Sequence, residues 1–168
     1  FANLDESYKG YWGGLIVLGN AEISADADQK QIEGIPASDS NGLYGGSDNS
    51  DNSGVIRYIQ IRHGGTLLGD DNEINGLTLG GVGNGTTIEY VEVIGNVDDG
   101  IECFGGSVNI DHALVWAQGD DAFDIDQSYS GTINNFMGIA DAESDHALEI
   151  DGPEGSMVGQ FTMSNGTL

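Results

Sequence analysis

Hydrophobic residues in this chain occur in short runs that alternate with polar positions, without the spacing of an amphipathic helix. Runs such as "LIVL" from Leu15, "IEYVEV" from Ile88 and "FDID" from Phe123 are bounded by Gly, Asn, Asp and Ser. Alternation over about four to eight residues between such turn formers is typical of short β-strands. No segment has a convincing helical period. The pattern therefore predicts an all-β protein.

The strand-like runs repeat along the chain. "VDDGIECF" from Val97, "GDDAFDID" from Gly119 and "SDHALEID" from Ser144 place acidic and apolar residues at the same points, and "NGLTLGG" and "GGLIVLG" extend this series towards the N terminus. A second run begins at an isoleucine in each repeat, at Ile56, Ile88, Ile110 and Ile133. A period of roughly 22–25 residues is that of a parallel β-helix (β-solenoid), in which every repeat is one rung. We expect this fold, with an insertion near residues 64–73.

Equivalent residues of stacked rungs form columns, because neighbouring strands lie only about 4.8 Å apart. We expect a first inward column of Leu15, Leu77, Ile101, Phe123 and Leu148. We expect a second inward column of Val17, Leu79, Cys103, Ile125 and Ile150. Side chains alternate between the two faces of a strand, so the positions between these columns point outward. These outward positions are Thr78, Glu102, Asp124 and Glu149.

Several motifs carry a resemblance to a known family. "GYWGGLIVLGNA", "IRHGG", "NGLTLGGVGNGTTIEYVEV", "DDGIECFGG" and "GDDAFD" resemble secreted or surface β-helix proteins and lipoproteins of marine and Bacteroidetes-type bacteria. The resemblance covers the chain from about Tyr11 to Asp126. It implies a right-handed parallel β-helix and an extracellular or outer-surface location. Most members of that family have no assigned function, so the resemblance implies no catalytic residue.

The charge of the chain limits its partners. The 168 residues include 28 acidic and four basic side chains, which gives a formal net charge of −24. The basic residues Lys9, Lys30, Arg57 and Arg62 are too few for a patch that binds nucleic acid or an anionic membrane surface. Cations and neutral or cationic polymers suit such a protein better. We therefore expect no nucleic-acid partner.

The length of the chain fits one solenoid domain over residues 1–168. Both termini fall within ordinary strand-like sequence, so we interpret the chain as a processed or trimmed part of a longer one. No apolar run approaches the length of a membrane span, and we expect no membrane insertion of this segment. Cys103 is the single cysteine, which excludes an internal disulfide, and its place in an inward column predicts an inert core thiol.

The acidic residues carry the main functional hypothesis. Like charges that stack on neighbouring strands destabilise a sheet unless something offsets their repulsion. Protonation is one route, because close carboxylates raise each other's pKa. Bound Ca²⁺ is another, because this ion takes about six to eight oxygen ligands. The candidate metal ligands are Asp98, Asp99, Glu102, Asp120, Asp121, Asp124 and Asp145.

Two other interpretations of these acids stay open. The acids also suit the corners and the solvent-exposed surface of a solenoid rich in Gly, Asn and Asp. A pair on adjacent rungs would also reach the separation that glycosidases use, although the chain has few basic groups to hold an anionic sugar. Acids in loops are further candidates for cation binding: Asp26, Asp28, Asp48, Asp51, Asp70 and Asp71.

The histidines are weaker candidates for chemistry. His63 precedes two glycines and is typical of a turn residue, and His112 falls in a surface column with two tyrosines. His146 takes the position that Asp99 and Asp121 hold in their repeats. It relieves charge there, or else pairs with an acid or binds a metal. No Cys and His set has the spacing of a zinc site.

These observations predict an extracellular structural or adhesive β-solenoid module that divalent cations stabilise. The ends of a solenoid leave backbone groups unpaired, so we also expect self-association end to end into filaments. The alternative is a carbohydrate-active β-helix enzyme, either a polysaccharide lyase or a glycoside hydrolase, or a sugar-binding module with a polysaccharide partner. No residue is assigned a catalytic role.

Overall fold

The computed structural model describes residues 4–68 and 74–168, which wind into a right-handed parallel β-helix. The strands are β1 (Leu15–Leu18), β2 (Lys30–Gln31), β3 (Leu43–Tyr44), β4 (Val55–Arg62), β5 (Leu77–Gly80), β6 (Thr87–Ile94), β7 (Ile101–Phe104), β8 (Asn109–Trp116), β9 (Phe123–Asp126), β10 (Thr132–Ile139), β11 (Glu149–Gly152) and β12 (Thr162–Ser164). A short 3-10 turn at Ser40–Gly42 lies between β2 and β3. In these two ranges, no helix is long and apolar enough to cross a membrane.

The first sheet has the strand order β1-β5-β7-β9-β11, and its strands are all parallel. The register aligns the first predicted inward column: Leu15, Leu77, Ile101 and Phe123. Leu148 continues this column, because it directly precedes Glu149, the register partner of Asp124. The second column follows in the same way: Val17, Leu79, Cys103 and Ile125. The predicted rungs and their register are therefore confirmed.

The second sheet has the order β4-β6-β8-β10-β12 and is also parallel. The predicted isoleucine starts align in one column: Ile56, Ile88, Ile110 and Ile133. Each of the four long strands turns a corner at a residue with a left-handed backbone: Tyr58 (φ 53°), Tyr90 (54°), His112 (58°) and Asn135 (54°). The rings at these corners stack, with centroids 4.7 Å apart for Tyr58 and Tyr90 and 4.5 Å apart for Tyr90 and His112.

The hydrophobic core lies between the two sheets. Leu77, Ile101 and Phe123 are completely buried there, and the ring of Phe123 meets Phe136 of the second sheet edge-on at 5.3 Å. Burial of such a side chain contributes about 1.5–3 kcal/mol to folding. Cys103 is also fully buried, which confirms the core thiol. The sheets are thus held together by the columns that the repeat predicts.

A long insertion lies between β1 and β4, in residues 19–54, and is larger than the one predicted near residues 64–73. Of the latter segment, residues 69–73, with the loop acids Asp70 and Asp71, lie outside the described residues. Within the long insertion, β2 and β3 pair antiparallel, and Tyr44 packs on Phe104 on the outer face of the first sheet. At Gly80 a Cβ atom would lie 2.8 Å from the Tyr44 ring, so glycine permits this close approach.

The insertion changes the exposure of the outward positions. Thr78 and Glu102 lie between the inward columns as predicted, yet they are only 2% and 6% exposed. The prediction that they face solvent is therefore wrong, since a single sheet has a free outer face only where nothing packs on it. Ile150 was predicted to be buried but is 53% exposed. It lies on β11, which has a neighbouring strand on one side only.

Candidate metal centre on the outer face of the first sheet

Two pairs of acidic residues precede neighbouring strands of the first sheet. Asp98 and Asp99 lie in the turn before β7, and Asp120 and Asp121 lie in the turn before β9. Aspartate suits such turns because its side chain accepts hydrogen bonds from nearby backbone. Here the Asp99 carboxylate accepts a bond of 3.0 Å from the N–H of Asp121, one rung further along. The turns therefore stack like the strands, and their carboxylates stack with them.

A second set of acids comes from the strands themselves. Glu102 of β7 is the register partner of Asp124 of β9, which is in turn the partner of Glu149 of β11. Parallel pairing in register places these like charges side by side on the outer face of the sheet. The turn acids and the strand acids meet there.

Together these residues form an open pocket of about 360 Å³. The described residues that line it are all acidic: Glu33, Asp98, Asp99, Glu102, Asp120, Asp124 and Glu149. Glu33 comes from the long insertion and was not predicted from the sequence. It has no counterpart in the repeat, so only the folding of the insertion over the sheet brings it here.

Carboxylate oxygens in this pocket are close enough to share an ion. One group is Asp98, Asp99 and Asp120, and another is Asp99, Glu102 and Asp124. In each group the oxygens lie within 4.8 Å of one another, and Asp99 belongs to both. Hard cations such as Ca²⁺ take carboxylate oxygens at about 2.3–2.6 Å, so two ligands of one ion lie within such a distance.

Burial sets the protonation of the innermost acids. It raises the pKa of Asp99 from 3.8 to about 9, with further increases from the charges of Asp98, Asp124 and Asp120. Burial, followed by the charge of Asp99, also raises the pKa of Glu102 well above its usual value. Removal from water disfavours the charged form of a carboxyl group, and neighbouring negative charges do the same. Without a cation these two side chains therefore hold protons.

The outer acids are perturbed in the same direction. Burial raises the pKa of Asp124 from 3.8 to about 6, while a hydrogen bond with Glu102 lowers it in part. A hydrogen bond with Asp121 and then partial burial raise the pKa of Glu149. Burial and the charge of Asp121 raise the pKa of Asp120. The whole pocket therefore gives up protons with difficulty, and a cation would compete with those protons.

Hydrogen bonds fix the floor of the pocket. The Asn75 side chain donates to Glu102 and, at 3.3 Å, to the hydroxyl of Thr78. One carboxylate oxygen of Asp124, Oδ1, is buried without a hydrogen-bond partner among the described residues. Such an atom usually has a partner in a folded protein, and a bound ion is one way to supply it.

Comparison with protein families gives a match to the pectate-lyase-like β-helix domain over residues 2–168. The chain belongs to this family. The match agrees with the parallel register of both sheets and with the β-helix resemblance of the sequence motifs. No curated protein and no solved structure matches the chain.

Two of the predicted ligands of this pectate-lyase-like β-helix domain lie outside both carboxylate groups. Asp121 is buried, and its Oδ1 accepts a bond of 2.7 Å from the backbone N–H of His146 and lies 3.1 Å from the His146 ring Nδ1. Asp145 is exposed and lies 3.6 Å from the same Nδ1. Asp145 and then Asp121 raise the pKa of His146. His146 thus offsets negative charge beside the pocket.

The remaining candidates of the domain have local structural partners. His63 is buried, and its Nδ1 lies 2.6 Å from the carbonyl oxygen of Tyr8. The Asp48 carboxylate accepts bonds from the backbone and the hydroxyl of Ser50. Asp51 lies within hydrogen-bonding distance of two neighbouring side chains. These contacts are typical of turn residues.

Proposed function

We propose that this chain is an extracellular structural or adhesive β-helix module that binds a divalent cation, Ca²⁺ in the first instance, in its acidic pocket. The observation that carries the proposal is the pair of carboxylate groups that share Asp99, each with oxygens within 4.8 Å. A cation there removes the repulsion that raises the pKa values of Asp99 and Asp124. It also links two successive rungs, because Asp99 and Asp124 precede and follow the turn between β7 and β9. Cation binding would therefore stabilise the stack.

The direct test is calorimetric titration of chelator-treated protein with Ca²⁺ and, separately, Mg²⁺. We expect saturable Ca²⁺ binding and a higher melting temperature, because a ligand at 100 times its dissociation constant adds about 2.7 kcal/mol of stability. Asp99→Asn should abolish both effects. Asp26→Asn is the matched control, since Asp26 is an exposed acid of the insertion outside the pocket. Unchanged binding in Asp99→Asn would contradict the proposed site.

A second candidate function, a carbohydrate-active enzyme, is favoured by the spread of pKa values within the pocket. Asp99, with a pKa of about 9, is a protonated acid at neutral pH, whereas Asp124, with a pKa of about 6, is mostly ionised. A pair of this kind can act as general acid and general base. The acidic lining disfavours anionic sugars, so the substrate class would be neutral polysaccharide. Release of reducing ends from neutral glycans, abolished by Asp124→Asn, would support this function over the structural one.

The partner that suits a structural module is a second copy of the chain, in contact end to end. Large apolar side chains are exposed at both ends of the β-helix, Val55 on β4 at 67% and Ile150 on β11 at 53%. An outer-surface location agrees with the strong negative charge, which keeps the sides of such assemblies apart. Localisation of the protein by surface labelling of intact producing cells tests that part of the proposal.

A further inference from the structure

The β-helix ends in two different edges. We call the edge formed by β1 and β4 the head and the edge formed by β11 and β12 the tail. Among the described residues, each of these strands has a neighbouring strand of its sheet on one side only. An unpaired strand edge leaves backbone N–H and C=O groups free to accept a further strand. Both ends are therefore able to extend the sheets.

The apolar columns of the core continue to both edges without closing. At the head, Leu15, Val17 and Ile56 are only partly buried, whereas the corresponding side chains one rung inside are 0–1% exposed. At the tail, Met163 is also only partly buried, and Ile150 is more than half exposed. Apolar surface of this kind is stabilised when a further rung covers it.

The two edges match each other in register. Met163 of β12 lies in the column that begins with Ile56 of β4, and Ile150 of β11 lies in the column that begins with Val17 of β1. A tail placed one strand spacing beyond a head would therefore put apolar side chains on apolar side chains in both sheets.

The corners match as well. Asn165, which follows β12, has a left-handed φ of 55°, close to the 53° of Tyr58 on β4. Tyr58 stacks on Tyr90 with one ring face and is nevertheless 77% exposed, which leaves its other face open towards the head side. The corner of a further rung would cover that open face.

Charge distinguishes the two edges. The head strand β4 carries Arg57 and Arg62, which are two of the four basic residues of the chain. The tail strand β11 carries Glu149 and Asp151. Opposite charges at opposite ends favour contact of head with tail over contact of like ends, and they offset part of the repulsion between two strongly acidic chains.

We propose that the tail of one copy docks on the head of a second copy, so that the β-helix continues in register from chain to chain. This inference rests on the structural role proposed above and specifies its partner and its interface. The contact joins two different surfaces and leaves one head and one tail free, so repetition produces a linear fibre.

The test uses one charge-reversing variant at each edge. Val55→Glu adds an acid to the head, where it would meet the acidic tail, and Ile150→Lys adds a base to the tail, where it would meet the arginines of the head. Both positions are largely exposed, so the fold tolerates the changes. Leu43→Glu is the matched control, an exposed apolar residue of β3 that lies on neither edge.

Sedimentation velocity over the micromolar range, with Ca²⁺ present, measures the outcome. We expect the wild-type chain and Leu43→Glu to grow in mass with concentration, and each edge variant alone to stay monomeric. An equimolar mixture of the two edge variants should form particles of two chains and no larger, because it retains one intact head and one intact tail. A monomeric wild-type chain, or a mixture that stays monomeric, would overturn the proposal.

Calcium titration of the same variants separates this inference from the proposed function. Val55 and Ile150 do not line the acidic pocket, so both variants should bind Ca²⁺ as the wild-type chain does. Loss of assembly with intact Ca²⁺ binding in the edge variants supports the interface. A wild-type chain that binds Ca²⁺ but stays monomeric contradicts the head-to-tail contact alone, and one that assembles without binding Ca²⁺ contradicts the cation site alone.

Discussion

The outer faces of the two sheets carry stacked polar columns that the same parallel register creates, yet their electrostatics are opposite. On the second sheet, Arg57 lies 3.0 Å from its register partner Glu89, and Asn134 donates a 3.0 Å hydrogen bond to its partner Asp111. Burial alone would raise the pKa of Asp111, but hydrogen bonds from Asn135 and Asn134 and the neighbouring His112 lower it. Each acid of this column therefore has a partner that stabilises its charge.

On the first sheet the corresponding neighbours are all acids. Glu102, Asp124 and Glu149 are consecutive in register, and the pKa of each is raised. The long insertion buries Glu102 and brings a further acid, Glu33, to the same pocket. The comparison indicates that the register decides which residues meet, while the type of residue decides whether the contact costs or adds stability. A costly column is what one expects of a ligand site rather than of a structural surface.

Phe123→Ala should have the largest effect, because Phe123 belongs to the core that both columns share. Its ring is fully buried and contacts Phe136 across the two sheets. Truncation should lower the free energy of unfolding by about 3–5 kcal/mol. Urea denaturation measures this loss, and Ile150→Ala, at an exposed site, should cost less than about 0.5 kcal/mol. Equal effects of the two substitutions would mean that the columns are not a common core.

The cation-free protein should be less stable at pH 8 than at pH 5. The folded pKa values of Asp99, about 9, and Asp124, about 6, both exceed the ordinary value of 3.8. The folded state then binds more protons than the unfolded chain between about pH 4 and pH 9, so stability falls as pH rises through that window. The raised pKa of His146 acts in the same direction.

We expect the loss between pH 5 and pH 8 to exceed about 1.4 kcal/mol, the equivalent of one pKa unit. Thermal unfolding in chelator measures it, at about 2–4 °C for each kcal/mol. The variant that combines Asp99→Asn with Asp124→Asn should lose most of this dependence. Stability that rises through the window would show that the first sheet behaves like the second.

A matched pair of substitutions sharpens the comparison between the sheets. Asp124→Asn removes a charge that like charges surround, so without cations it should stabilise the protein by on the order of 1 kcal/mol after allowance for solvent screening. Asp111→Asn removes a charge that has favourable partners and should destabilise by a few tenths of a kcal/mol. Saturating Ca²⁺ should reverse the sign for Asp124→Asn and leave Asp111→Asn unchanged. Changes of the same sign at both sites in chelator would remove the distinction.

The sequence was sufficient to predict the rungs, because repetition and alternation are direct signals of register. Leu77, Ile101 and Phe123 were placed in one column on that basis, and the structure confirms it. The same signals brought Asp98, Asp99 and Asp120 together as candidate ligands, and their carboxylates do lie close to one another.

Features that depend on the insertion were not predictable in this way. Residues 19–54 have no counterpart in the other rungs, so no repeat indicates where they pack. The burial of Glu102 and the place of Glu33 in the pocket follow from that packing alone. The exposure of Ile150 has a different cause, since a repeat pattern treats an end rung like an inner one.

Arg57→Gln should have the smallest effect and tests the favourable side of the comparison. The ion pair between Arg57 and Glu89 is about half exposed, and exposed pairs of this kind contribute about 0.2–1 kcal/mol. Screening by salt weakens such pairs, so the difference in unfolding free energy between Arg57→Gln and the wild-type chain should shrink at high ionic strength. The double variant with Glu89→Gln should be close in stability to either single variant, because one substitution already removes the pair. Strictly additive losses in this double-mutant cycle would mean that the pair contributes nothing, and the second sheet would then differ from the first only in the absence of repulsion.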